Sequence, residues 1–442
     1  MQPDRTRAPL LVGVLALLLV VVAAGWWTLR DPATTLDVDA LDPGRGGGSN
    51  EGAAATGDVG AGRAAATTSL LERVEQALED GDDTALGGLA AGSSRSRAVL
   101  DRWADNVAAI GLEDVRLRYV AATLDAPSRW TAEVEVSYRD PFAGARRVRV
   151  AAAVSFADVG GQSDAGAPQV ALVGAGAAGA RTPLWMSADL AVRTVDRVSA
   201  RVDEASTLGV ERVLALGRTA VREVTRTLPA WDGPLVIEVP DDTVEVAHVL
   251  GEPEGAYDAV AAVTTTIDGS ASPGAPVHVV VNPVVLGTLG NRGEQVVMTH
   301  EAVHVATDAS TSPELPLWLM EGYADWAALR VTDLPDDVAA GAILERVREQ
   351  GPPGRLPGEL EFDPAGEQFG VSYEAAWLAV RLMAERYGPA ATIAFYEQVD
   401  GGAPVAQAFS TLGTTERQFT RAWQRYLQRL AGVPVGRGLV SS

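Results

Sequence analysis

The sequence predicts an α+β protein: an N-terminal transmembrane helix, a small α+β module, then a mainly helical domain with a small sheet. Three observations carry this. A charge-free stretch runs from Ala8 to Leu29; helix-period segments followed by strand-period segments fill residues 67–182; and two motif-bearing helices follow a pair of short β-branched runs. With 442 residues, 47% of them apolar and 21% charged, the chain is long enough for two or three domains and too apolar to be wholly disordered.

The N-terminal stretch is built around Leu10 to Ala24 and closed by Trp26 and Trp27. At about 1.5 Å per residue, roughly 22 residues cross a hydrocarbon core about 30 Å thick. Arg5 and Arg7 precede the stretch, so the positive-inside rule keeps the N-terminus in the cytoplasm and exports everything after Arg30. The alternative is a cleaved signal, with Val22, Ala23 and Ala24 as small residues before the cut. Both readings export the rest: a single-pass cell-membrane protein in the first case, a secreted one in the second. Residues 31–66, rich in Gly, Ala, Asp and Pro and including Gly46, Gly47 and Gly48, read as a flexible tether.

Residues 67–182 form the α+β module. Leu70, Leu71, Val74 and Leu78 fall at helical spacing, as do Val99, Trp103, Val107 and Ile110. Alternation in Val115, Leu117, Tyr119 and in Trp130, Ala132, Val134, Val136, Tyr138 then predicts strands, with further runs at Val148–Phe156 and Val170–Val173. This order loosely resembles the cone-shaped folds related to nuclear transport factors. A second unit begins near Pro183 and runs to residue 442. Within it Asp189–Leu228 carries a long helical pattern ended by Pro229, predicting one or two helices. Leu235–Val239 and Val277–Val281 read as strands, and Leu334–Phe369, rich in Pro, Gly and acidic residues, as a link between two later helices that forms a cleft rim. Thr414 or Thr415 caps a last helix bearing Phe419, Trp423, Tyr426, Leu427 and Leu430.

Composition narrows the chemistry. The net charge of −22 argues against a protein that neutralises nucleic-acid phosphates. Every basic residue is Arg, which excludes lysine Schiff bases and lysine-bearing phosphate loops. The chain has no Cys, so there is no disulfide and no thiolate nucleophile, and any metal rests on His and carboxylates.

That restriction gives weight to one segment. His300, Glu301, Ala302, Val303 and His304 spell H-E-x-x-H within a helical run. Residues 300 and 304 lie one turn apart, so both imidazoles face one point, as two ligands of one zinc must. With four His in the chain, chance produces such a match roughly once in 500 sequences of this composition. A second helix, entered through Pro316, carries Glu321 as a third ligand and Asp325 one turn later, on the face where a carboxylate can fix an imidazole tautomer. Three protein ligands leave a zinc ion its open catalytic position. His248 and His278 read as structural or exposed.

The H-E-x-x-H helix followed by W-L-M-E-G-Y-A-D-W resembles the gluzincin branch of zinc metallopeptidases, the thermolysin-like proteins, over roughly residues 183–432. The resemblance implies a zincin-like fold, Zn2+ held by His300, His304 and Glu321, Glu301 as general base and acid, and Asp325 as orienter of a ligand imidazole. It further implies a downstream Tyr or His that bonds the oxyanion; both other His lie upstream, so Tyr373, on a helix from Ser372 to Tyr387, takes that place. It also implies a cleft-lining strand before the motif helix, where Val277–Val281 stands. The sequence lacks a G-x-M-E-N-like segment, so an aminopeptidase is not implied. The expected function is peptide-bond hydrolysis on a peptide or protein substrate, with the membrane reached through residues 8–29 and no nucleic-acid partner. The alternative is a non-catalytic cell-envelope binding or scaffold protein with a degenerate peptidase domain.

Overall fold

A computed structural model describes residues 51–434, apart from the short stretches 127, 145, 163–167, 273, 313–314, 331, 333 and 363–367. The expected membrane segment at 8–29 and the first part of the tether lie outside the described residues, and no described helix is long and apolar enough to cross a membrane.

Among the described residues the protein is a mixed α+β structure with two small sheets and two hydrophobic cores. The first core begins with helix α1, Glu51–Asp80, which takes up the last part of the tether: residues 51–66 are helical. The Ala-rich composition of this part explains the correction, since Ala is the best helix former and favours a helix without any apolar periodicity. Helices α2, Asp83–Leu89, and α3, Ser94–Ile110, follow, the latter capped by the Ser93 hydroxyl and ended at Gly111 with φ 77°. Four antiparallel strands then run as a meander in the order 1-2-3-4: β1 Glu113–Asp125, β2 Arg129–Arg139, β3 Arg147–Gln162 and β4 Pro168–Ala175. The inward residues Ala132, Val134, Val136 and Tyr138 pack on Leu70, Leu71, Val74 and Trp103, as the two periodicities predict.

A single turn, α4 Leu184–Ser187, joins the cores: Leu184 packs into the second, Trp185 and Met186 into the first. Trp103 Nε1 donates to the Met186 carbonyl at 2.8 Å, and Asn106 Nδ2 donates to the carbonyls of Trp185 and Ala188.

The helical pattern predicted for Asp189–Leu228 is corrected in its first half. Residues 190–203 form a hairpin, β5 Leu190–Val195 and β6 Val198–Asp203, turning at Asp196 with φ 55°, and only α5, Val210–Thr227, is helical. Val198, Ala200 and Val202 recur every second residue and bury on one sheet face, a strand period that overrode the coincidental helical spacing of Leu190, Val195 and Val198.

The second sheet then gains β7, Leu235–Val239, followed by helix α6, Thr243–Leu250, and strands β8, Ala262–Thr266, and β9, Val277–Val281. Its order is β5-β6-β7-β9-β8, parallel from β6 through β7 to β9 and antiparallel at both edges. The expected strand Val277–Val281 is present, but as an inner strand with no side free to pair with an extended substrate. β9 is hydrogen-bonded on both sides, and the strand at the edge beside it is β8, a β-branched run that the sequence reading passed over.

After the turn α7, Pro283–Leu286, comes the motif helix α8, Gly290–Ala306, and then α9, Leu317–Leu329, with Pro316 as its N-cap. The segment expected to form a cleft rim carries helices of its own. It holds α10, Asp336–Ala339, and α11, Gly341–Gln350, and buries Ile343, Leu344, Val347, Leu356 and Phe362. Helices α12 Phe369–Tyr387, α13 Pro389–Asp400, α14 Val405–Thr411 and α15 Glu416–Leu430 follow, the last held by a capping box of Thr415 and Gln418.

Candidate metal centre

Two helices bring the predicted ligands together. On α8, residues 300 and 304 project from one face; on α9, Glu321 lies in the second turn after the Pro316 cap. The ligand atoms of His300, His304 and Glu321 all lie within 4.8 Å of one another. His300 Nε2 and His304 Nε2 face each other at 2.9 Å, and Glu321 Oε2 is 3.3 Å from the first and 3.5 Å from the second. Bonds of about 2.0–2.1 Å in a tetrahedron put neighbouring ligand atoms roughly 3.3 Å apart, so the two Glu321 distances fit a zinc ion and the His–His distance needs a small opening. All three residues are 3% exposed or less. The orphaned buried atoms converge here too, since both Glu321 oxygens lack a hydrogen-bond partner.

Charge and tautomer are set for the same role. Burial raises the proton affinity of the Glu321 carboxylate, but the His304 and His300 imidazoles outweigh it and bring its pKa down to about 2, so it is an anion at neutral pH. Asp325, one turn further along α9 and fully buried, accepts from His300 Nδ1 at 2.8 Å. Burial disfavours the charged form of both partners; at His300 the neighbouring carboxylates, Asp325 first, outweigh it and hold the imidazole well above its usual pKa, while at Asp325 burial prevails and raises the carboxyl; the contact at Nδ1 turns Nε2 toward Glu321 and His304.

Glu301 is fully buried beside this group, where burial pushes its carboxyl above the usual range against the pull of His300, His304 and Thr264. The Thr264 hydroxyl donates to Glu301 Oε2 at 2.5 Å. Nothing in the sequence tied Thr264 to Glu301, 37 positions away; recognising β8 from its Thr run was the available signal.

No protein-family model matches the chain, and no curated protein matches it.

The structure places Tyr373 in the core, its ring enclosed by Phe362 and Phe369 with centroids 5.1 Å from each. It lies one turn before Ala376, whose carbonyl abuts Gly322 of α9, so it is on the face of α12 that meets the ligand helix. A second buried tyrosine, Tyr396 on α13, bonds Thr307 at the end of α8 and feels the charge of Glu321. The sequence reading missed it because α13 follows the motif by some ninety residues. Of the other histidines, His278 is buried and 3.1 Å from Glu238, and His248 is 3.2 Å from Glu245. Neither joins the centre.

Proposed function

We propose that the chain is an exported, membrane-anchored zinc metallopeptidase that hydrolyses peptide bonds, anchored through residues 8–29. The observation that carries the reading is the buried convergence of His300 Nε2, His304 Nε2 and Glu321 Oε2 with an intact carboxylate, Glu301, beside it. A zinc ion held there would supply Lewis-acid polarisation of a carbonyl and acidification of water. Glu301, its Oε1 free of any hydrogen bond, is the base that takes the proton of the attacking water and returns it to the leaving amine. Asp325 keeps His300 in the ligating tautomer. Tyr373 is the proposed donor to the oxyanion. The order of mixed sheet, motif helix and ligand helix also supports a zincin-like fold for residues 183–434.

Full burial of the ligand set also suits the second reading, a non-catalytic envelope scaffold in which zinc is structural. Glu301→Gln decides between them. The expected outcome is that the variant holds one zinc, as the wild type does, and loses cleavage of an unfolded protein by at least about a hundredfold. Equal cleavage by both proteins would remove Glu301 from the mechanism. Stoichiometric zinc without cleavage by either would leave the scaffold.

A further inference from the structure

The two oxygens of the Glu301 carboxylate stand in different surroundings. Oε2 accepts the Thr264 hydroxyl at 2.5 Å, whereas Oε1 is buried with no hydrogen-bond partner. The same hydroxyl lies 3.2 Å from the Glu301 carbonyl oxygen, so one side chain touches both the head and the backbone of residue 301. Thr264 is 2% exposed at the centre of β8 and pairs with Val279 of β9, which carries it on the sheet face turned toward α8. The last torsion of a glutamate is broad, so packing alone leaves the two oxygens interchangeable. A donor fixed to a strand removes that freedom.

We propose that Thr264 is the positioning residue for Glu301: its hydroxyl holds Oε2, so that Oε1 is the atom presented as proton acceptor to the attacking water. This rests on the metallopeptidase reading. Fixing the orientation of a reacting group is the kind of positioning on which rate depends steeply.

The test compares Thr264→Val, which keeps the β-branched shape and loses the hydroxyl, with Thr264→Ser, which keeps the hydroxyl. Both are made in the full chain, beside wild type and Glu301→Gln. Thr264→Val is expected to hold one zinc and keep KM within about twofold on a labelled unfolded protein, while kcat falls about 10- to 100-fold. Thr264→Ser should stay within about threefold of wild type. Crystal structures of the two variants supply a readout independent of turnover: the Glu301 carboxylate should leave its wild-type orientation in Thr264→Val and keep it in Thr264→Ser.

Unchanged kcat in Thr264→Val, with Glu301→Gln inactive, overturns the positioning role and leaves the enzyme reading standing. Equal loss in the Ser and Val variants, loss of zinc in Thr264→Val, or a carboxylate that keeps its orientation there, likewise overturns it, because the hydroxyl would then matter only for packing or not at all. A wild type that holds zinc yet cleaves nothing, or a Glu301→Gln as active as wild type, removes the reading and the proposal together.

Discussion

Asp325 shows how much one carboxylate decides at the residue scale. It makes no contact that a zinc ion needs directly, yet its 2.8 Å hydrogen bond with His300 Nδ1 orients the ring so that Nε2 faces Glu321 and His304. Asp325→Asn keeps the volume and exchanges a charged acceptor for a weaker one. We expect about a 10- to 100-fold loss of zinc affinity with little change in far-UV dichroism, measured by competition against a chelator. Affinity within twofold of wild type would make Asp325 a bystander.

At the scale of elements, the centre depends on how closely α9 and α12 cross. Gly322, next to the ligand Glu321, sits where an added Cβ would lie 2.5 Å from the Ala376 carbonyl oxygen. Gly322→Ala must therefore push two backbones apart, at a cost of about 1–3 kcal/mol, and tilt Glu321 away from the imidazoles. A lowered melting temperature together with weaker zinc binding is expected; weaker binding alone would mean the helices absorb the methyl.

Helix α12 also holds α11, through a buried carboxylate. Glu374 accepts the Ile343 amide at 2.7 Å, yet burial, reinforced by the nearby Asp325 charge, raises its pKa to about 7. An acid whose folded pKa lies above its unfolded value is favoured in the protonated form. Its contribution is complete below about pH 4.5 and is lost as the pH rises toward 7. The loss is on the order of 3 kcal/mol. Glu374→Gln keeps the acceptor and cannot ionise, so it should flatten the decline in stability between pH 5 and 7.5. A decline as steep as the wild type's would place its source elsewhere.

Across the whole molecule, four buried ionisable groups pin the first core to the second. Asp140, in the loop after β2, receives Arg201 of β6 at 2.5 Å; Arg201 also faces Glu238 of β7 at 3.6 Å, and Glu238 faces His278 of β9 at 3.1 Å. Asp140, Arg201, Glu238 and His278 are each 4% exposed or less. Removing one partner strands a buried charge, so Asp140→Ala should cost about 3–5 kcal/mol in chemical denaturation. Glu211→Ala, which breaks the exposed Arg193–Glu211 pair, should cost under about 1 kcal/mol. Similar losses in the two variants would mean that Arg201 regains water when Asp140 is gone.

What the sequence determined by itself follows from local rules. The spacing of His300 and His304, Glu321 with Asp325 one turn on, and the alternating strands of the first sheet rest on helix and strand periods that neighbours along the chain enforce. Where two periods overlapped, as in residues 190–203, local rules chose wrongly, because only the sheet decides which period buries apolar surface. Tertiary structure alone decided which strand forms the sheet edge, that Thr264 reaches Glu301, and that Asp140, Arg201, Glu238 and His278 meet. Each of these joins residues far apart in sequence, and their proximity is a product of packing, which no spacing along the chain encodes.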